Sequence, residues 1–275
     1  MSDMHAASRE ALANATLNLD NTLSGIDNAV VVAAQTGTEI FDVVDVLDGD
    51  RGLRVAVAEA SAPAEQRSGL VKEVFGGNVS AVTLALLTDA AAQVWSTPRE
   101  MRQGLVALGR RALLRSAEQQ GQLAQVEDEL FRLSRILEGQ TQLTQLLSDK
   151  TTTVAAKRQL LASVLYGKVS AVTEALALQV VGRPDSNLID DIANLSALAA
   201  ELQGKTVAHV IAAVALSTPQ EQALAAKLGR IYGREMSIHS EVDTSLLGGV
   251  VIRVGDEVID GSTAGKLERL RAGIV

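Results

Sequence analysis

Cysteine is absent from the 275 residues, which excludes disulfides and thiolate metal sites. A reducing compartment is compatible with that absence. Aromatic residues make up 2% of a chain that is 47% hydrophobic, so its cores must be assembled from Leu, Val and Ala. Basic residues are too few to match the acids, and the formal net charge is -8. A nucleic-acid partner is not expected, because phosphate contacts need a basic surface. Long apolar runs are missing too. Val207–Leu216 and Ala29–Ala34 fall far short of the ~20 residues that span a bilayer. The opening MSDMHAASRE has neither the basic nor the apolar region of a secretory signal. Membrane association is therefore expected to pass through a partner.

Alanine and leucine are plentiful, and the four prolines stand at element boundaries, where they spare a helix the ~3 kcal/mol of an interior one. Both features favour helices, and the length allows two or three domains. Ile40, Val43, Val44 and Leu47 recur at helical spacing while Asp42, Asp45 and Asp48 face elsewhere. Leu84, Leu87, Ala91 and Val94 repeat the pattern. Thr97-Pro98-Arg99-Glu100 predicts a helix start, with Thr97 as N-cap and Glu100 completing a capping box. Leu123, Val126, Leu130, Leu133 and Leu137 form a seam suited to bundle packing. Gly121 marks a break near that helix's start, read as a helical glycine where alanine would be neutral or stabilising, and Gly139 marks its end.

An internal repeat organises this helical part. Arg67-Ser68-Gly69-Leu70-Val71 and the turn Phe75-Gly76-Gly77-Asn78 before VSAVT resemble Arg158-Gln159-Leu160-Leu161-Ala162 and Tyr166-Gly167-Lys168 before a second VSAVT. Two copies, and not three, argue for duplication rather than a solenoid. The expected domains are residues 1–109 and 110–204, each a helical bundle, followed by a small α+β domain over 205–275. The fold class is thus mainly α, with two tandem bundles and a small α+β ending.

After Gly204 the pattern changes. Residues 206–216 read as a strand, although their alanines would also suit a helix, and Thr218-Pro219-Gln220-Glu221 predicts another capped helix start. Met236, Ile238, Ser240 and Val242 alternate as a second strand, and Val250, Ile252 and Val254 as a third. Gly255-Asp256 offers a two-residue hairpin turn, with Val258 and Ile259 on the return strand. Gly248-Gly249 permit a tight backbone approach. Ser262 is placed to cap a last helix with apolar positions Leu267, Leu270 and Ile274.

Chemistry is harder to find. Gly261-Ser262-Thr263-Ala264-Gly265-Lys266 ends in Gly-Lys like a phosphate loop. That motif needs glycine where Asp260 stands and Ser or Thr where Leu267 stands. His5, His209 and His239 are widely separated, without metal-ligand spacing, and read as surface or strand histidines. Asp190-Asp191 and Glu127–Glu129 read as solvating charge on helix faces. No catalytic, metal or cofactor site is expected.

The run Val242-Asp243-Thr244-Ser245-Leu246-Leu247-Gly248-Gly249, then Ile252-Arg253-Val254-Gly255-Asp256 and Ile259-Asp260-Gly261-Ser262, resembles the C-terminal signature of the delta subunit of F-type ATP synthases. The mitochondrial relative is the oligomycin-sensitivity-conferring subunit. The likeness extends to the segment from Asp149 to Val172 and covers about 110–275 directly, with 6–109 reached through the duplication. The signature residues are Gly248, Gly249, Arg253, Gly255, Asp256, Asp260, Gly261 and Ser262. The resemblance implies a non-catalytic stator subunit at the cytoplasmic face of the cell membrane. It implies that a helical bundle grips the N-terminal segment of an alpha subunit and that the C-terminal domain receives b-type stalk subunits. The common form of the family has one bundle, so the extra copy leaves its own partner open. The alternative is a helical scaffold carrying a small-molecule-binding α+β domain, which would need convergent polar groups in a pocket.

Overall fold

The computed structural model describes residues 4–255 and 257–266. The chain folds into two compact units, each drawn from two stretches of sequence. The first joins residues up to 123 with 149–183, and the second joins 124–148 with the residues from 184 onward.

The first unit is helical. It holds α1 (Ala6–Ser24), α2 (Ala29–Gly49), α3 (Arg51–Ala58), α4 (Ala64–Phe75), α5 (Ala81–Ala92) and α6 (Pro98–Gln119), then, after an intervening stretch, α9 (Val154–Leu165) and α10 (Ala171–Gly182). Helix starts are written in the sequence. Asp50 accepts from Leu53 N, Ser80 from Thr83 N, Thr97 from Glu100 N, Thr153 from Ala156 N and Ser170 from Thr173 N. Glu100 does not complete the expected capping box. Its carboxylate instead accepts from His5 N (2.7 Å), His5 Nδ1 (2.9 Å) and Ser8 Oγ (2.9 Å), tying α6 to the start of α1. The apolar positions of α2 are buried as expected, Ile40, Val43, Val44 and Leu47 all facing inward. In α5 the buried set is Leu86, Leu87, Ala90 and Ala91, whereas Leu84 is half-buried and Val94 exposed. The buried stripe is thus turned slightly from the expected one, keeping Leu87 and Ala91.

Helices α2 and α6 meet most closely. A Cβ added at Gly37 would stand 2.8 Å from Leu113 Cγ and 2.9 Å from the Gly109 carbonyl, and one at Gly109 would stand 2.9 Å from the Phe41 ring. Gly37 thus lets α2 approach the α6 backbone, and Gly109 makes room for one of the few aromatic rings. Three enclosed or half-enclosed side chains of this unit make polar contacts between elements. Arg67 in α4 is buried, and it donates to the carbonyls of Ala91 (2.8 Å), Ala92 (2.9 Å) and Gln93 (3.0 Å), groups left without partners by the end of α5. Asp20 in α1 takes Arg111 (2.5 Å) and Arg115 (2.8 Å) from α6. Burial pushes its carboxyl up, but these two arginines outweigh it and hold it at about 2. Arg183, just past α10, donates to the Phe41 carbonyl (2.9 Å) and pairs with Asp45 of α2.

The bounds of α9 and α10 are those of α4 and α5 moved on by 90 residues. Residues 109 and 110 lie inside α6. Gly121 is not a helical glycine; it follows α6 at φ +69, a left-handed conformation in which alanine costs about 1 kcal/mol or more.

The second unit contains α7 (Leu123–Gly139), α8 (Thr141–Ser148), α11 (Leu188–Leu202) and a four-stranded sheet with one helix, α12 (Thr218–Tyr232). The strands β1 (Lys205–Ala212), β2 (Glu235–Val242), β3 (Val250–Val254) and β4 (Glu257–Asp260) lie in the order β2-β1-β3-β4. β1 and β2 are parallel, as their crossover through α12 requires, and β3 is antiparallel to both β1 and β4. The cap of α12 is Ser217, one residue before the expected Thr218, in a capping box with Gln220. One sheet face supplies Ala208, Val210, Met236, Ile252 and Val254, which close on Leu228 of α12. The seam of α7 is buried as expected, from Leu123 to Leu137.

Replacing Arg67 with methionine keeps the apolar stem and takes its donors from five carbonyls, those of Glu59, Ala62, Ala91, Ala92 and Gln93. The expected loss is about 2–3 kcal/mol, read as a lower midpoint in urea with an unchanged slope. Ser68→Ala, which removes one hydrogen bond to Thr88 O, is expected to cost about 1 kcal/mol.

Candidate functional site

The signature residues separate into three places. Gly248 (φ +146) and Gly249 (φ +83) lead into β3. There the backbone meets the end of β4: Thr263 N donates to the Gly248 carbonyl and Gly261 N to the Val250 carbonyl, both at 2.9 Å. A Cβ at Gly249 would stand 2.5 Å from the Gly261 carbonyl oxygen, so only glycine allows this crossing. Asp260 accepts from Ser262 N (2.8 Å), and Ser262 Oγ accepts from Gly265 N (3.0 Å), the cap expected of it. Five of the eight residues thus form one knot between two strands and the turn that follows. Gly255 (φ +58) opens the β3–β4 hairpin at the opposite end of β3. Arg253, paired with His209 across β1 and β3, is on the sheet face away from α12. Asp256, Leu267, Leu270 and Ile274 lie outside the described residues.

That second face of the sheet carries the polar side chains. His209, Ser237, His239, Glu241 and Arg253 line it, opposite α7 and α11, and a cleft of about 1090 Å³ opens beside them. The cleft is also lined by Arg135 and Glu138 of α7 and by Glu201 of α11. Against the same sheet face, Glu127 of α7 is buried. One carboxylate oxygen meets His239 Nε2 at 3.0 Å and also accepts from Ser237 Oγ. The other accepts from Gln203 Nε2 at 2.9 Å. Ser196 of α11 donates to the Glu127 carbonyl at 3.0 Å. One turn along α7 the Phe131 ring lies 4.1 Å from the His239 ring, and a turn further Arg135 pairs with Glu241 at 3.1 Å.

Two sequence expectations are corrected here. Glu127 is not solvating charge, and neither is Asp191, which is buried and accepts from Asp185 N (2.8 Å) and Ser186 Oγ (3.1 Å) ahead of α11. Glu127 stands four residues after Leu123 and three before Leu130, so it occupies the apolar face. That spacing is the signal a sequence offers. His239 belongs to a strand, as expected, but is buried. His209 lies on β1 and is exposed. No group of three or more His, Cys, Asp or Glu that could hold a metal is found among the described residues.

The knot and the buried carboxylate each yield a test. Gly249→Val forces a β-branched residue into positive φ against a carbonyl, and is expected to cost about 3 kcal/mol. Gly255→Ala, with open space around it, is expected to cost about 1 kcal/mol; thermal melts of the two variants compare them. For Glu127, burial pushes the carboxyl up, but the hydrogen bonds from His239, Ser237 and Gln203 and the charge of His239 outweigh it and hold it below the ordinary value. Its contribution is therefore present above the unfolded value of about 4.3 and lost as pH falls through the lowered folded value. The melting-temperature gap between the parent chain and Glu127→Gln is expected to shrink as pH falls below about 4.

The family model described as ATP synthase delta (OSCP) subunit matches residues 111–274. The chain is 74% identical over 272 residues to a protein of Corynebacterium efficiens named ATP synthase subunit delta, covering 99% of both chains. A protein of the same name from Corynebacterium diphtheriae is 68% identical over 272 residues, covering 98% of this chain and all of the relative. Among solved structures, a chain of the Polytomella F-ATP synthase is 29% identical over 26% of this chain and 90% of its own, with a TM-score of 0.23. A chain of the Toxoplasma gondii mitochondrial ATP synthase is 18% identical over 60% of this chain and 94% of its own, with a TM-score of 0.37. Matched over more than half its length by the family model and end to end by these relatives, the chain belongs to the ATP synthase delta (OSCP) subunit family.

Proposed function

We propose that the chain is a non-catalytic stator subunit of a proton-translocating ATP synthase, joining the catalytic head to the membrane-anchored peripheral stalk. The observation that carries this reading is near-full-length identity with proteins named ATP synthase subunit delta. Helices of the first unit grip the N-terminal segment of an alpha subunit, since grooves between Ala-rich helices accept an amphipathic partner helix. The α+β segment receives the ends of b-type subunits. No helix among the described residues is long and apolar enough to cross a membrane, and the b-type partners supply the membrane connection at the cytoplasmic face. The signature residues act as structure: the Gly248-Gly249 knot holds the sheet in the form its partner meets.

The segments 1–109, 110–204 and 205–275 are proposed as the chain's lineage. The 90-residue displacement between α4–α5 and α9–α10 supports a duplication, and α6, which runs across residue 109, is shared by both copies.

Removing 205–275 would strip the sheet from α7 and α11, which belong to the same compact unit, so the test keeps the chain whole. Catalytic heads and membrane sectors are reconstituted with and without it. ATP hydrolysis by the head is expected to stay within about twofold. ATP-driven acidification of inverted vesicles is expected only when the chain is present. Pumping without the chain, or hydrolysis that depends on it, would overturn the reading.

A further inference from the structure

The buried carboxylate of α7 belongs to a longer pattern. Glu127, Phe131 and Arg135 are spaced by four on α7, while Ser237, His239 and Glu241 are spaced by two on β2. They meet in order: Glu127 with Ser237 and His239, Phe131 with His239, Arg135 with Glu241. Four helical residues advance about 6 Å and two strand residues about 6.6 Å, so the two rows stay in step over all three positions. Apolar contacts alone would let a helix slide over a strand. A carboxylate that takes donors from β2 and from the end of α11 fixes the register, because any slip leaves a buried charge or a buried donor without its partner.

In the repeat, the residue 90 positions before Glu127 is Gly37, which serves the close approach of α2 to α6. Phe41 and Phe131 correspond in the same way. The carboxylate is thus a feature of the second copy, the one whose helix lies on the sheet.

We propose that Glu127 is a latch: its ionised carboxylate locks β2 to α7 and α11, so that a load applied to the sheet passes into those helices instead of opening a hinge between them. The locking stands on the geometry alone, and its role under load rests on the stator reading above. The nearest titratable group is His239 of β2, in contact with Glu127. Further charged groups line the neighbouring cleft from each element packed there: Arg135 and Glu138 of α7, Asp190 and Glu201 of α11, Lys205 and His209 of β1, Arg234 and Glu241 before and on β2, and Arg253 of β3.

Hydrogen exchange followed by mass spectrometry on the full chain tests the latch. In Glu127→Ala, peptides covering residues 124–139 and 235–242 are expected to exchange at least tenfold faster, with α2 and α6 unchanged. Glu127→Gln, which keeps the shape and one acceptor oxygen, is expected to fall between that variant and the parent. Unchanged exchange, or an equal rise along the whole chain, would overturn the proposal. Should the alanine variant fail to fold, Gln203→Leu and Ser237→Ala each remove one donor and are expected to speed exchange severalfold in the same two segments; no effect there is equally fatal. In reconstituted enzyme, Glu127→Ala is expected to lower protons pumped per ATP hydrolysed at least twofold while the chain stays bound. An unchanged ratio overturns the mechanical role. Failure of the stator reading looks different, since pumping would then be indifferent to the chain as a whole.

Discussion

The scarcity of large side chains governs how this molecule packs. With aromatics at 2%, cores made of Ala, Leu and Val fill only if backbones come close. The α2–α6 contact shows the consequence. Gly37 and Gly109 leave no room for a Cβ: Leu113 and the Gly109 carbonyl fill the space at the first, the Phe41 ring that at the second. Close backbones give good dispersion contact, but they leave little tolerance at the contact itself, where an added methyl must displace a ring or a carbonyl. In the sheet the same logic applies at Gly249, whose neighbour is the Gly261 carbonyl. Glycine stands in both places for different reasons: proximity between helices, and proximity joined to positive φ at the strand.

Close packing also encloses polar backbone, and arginine resolves it. Arg67 gathers the last carbonyls of α5, and Arg183 reaches the Phe41 carbonyl while pairing with Asp45. A guanidinium has five donors in a fixed fork, so one side chain can satisfy a helix end that would otherwise need water. Lysine, with a single ammonium on a flexible stem, could not replace either one.

Much of this is legible in the chain. The α7 seam, the Thr97 and Ser262 caps, the glycine-first hairpin and the strand alternation of β3 all follow from local rules, and each local rule agrees with its tertiary surroundings. The misreadings share one cause. Residue type alone sends Glu127 and Asp191 to solvent, whereas their partners His239, Gln203 and Ser186 come from other elements or loops. Gly121 reads as helical because its φ depends on where α6 stops. The Glu100 carboxylate has a local use in view, but His5 and Ser8 outcompete the cap with three donors. A sequence shows which groups need partners. It shows less well which distant group will arrive.

That distinction bears on what a subunit without chemistry is for. Polar residues in and beside the α+β segment join elements: the knot at Gly248-Gly249 fixes two strands, and Glu127 of α7 ties a strand to helices. A connector between two partners needs affinity at each end, but affinity alone does not carry force through its own interior. The interior must resist relative movement of the elements that meet each partner. Apolar layers resist separation and permit sliding, whereas a satisfied buried carboxylate resists sliding, because its donors come from fixed directions. Placing the carboxylate on α7 and its donors on β2 and α11 puts that resistance where helix gives way to sheet, the boundary at which a chain built mostly of small side chains would otherwise slip.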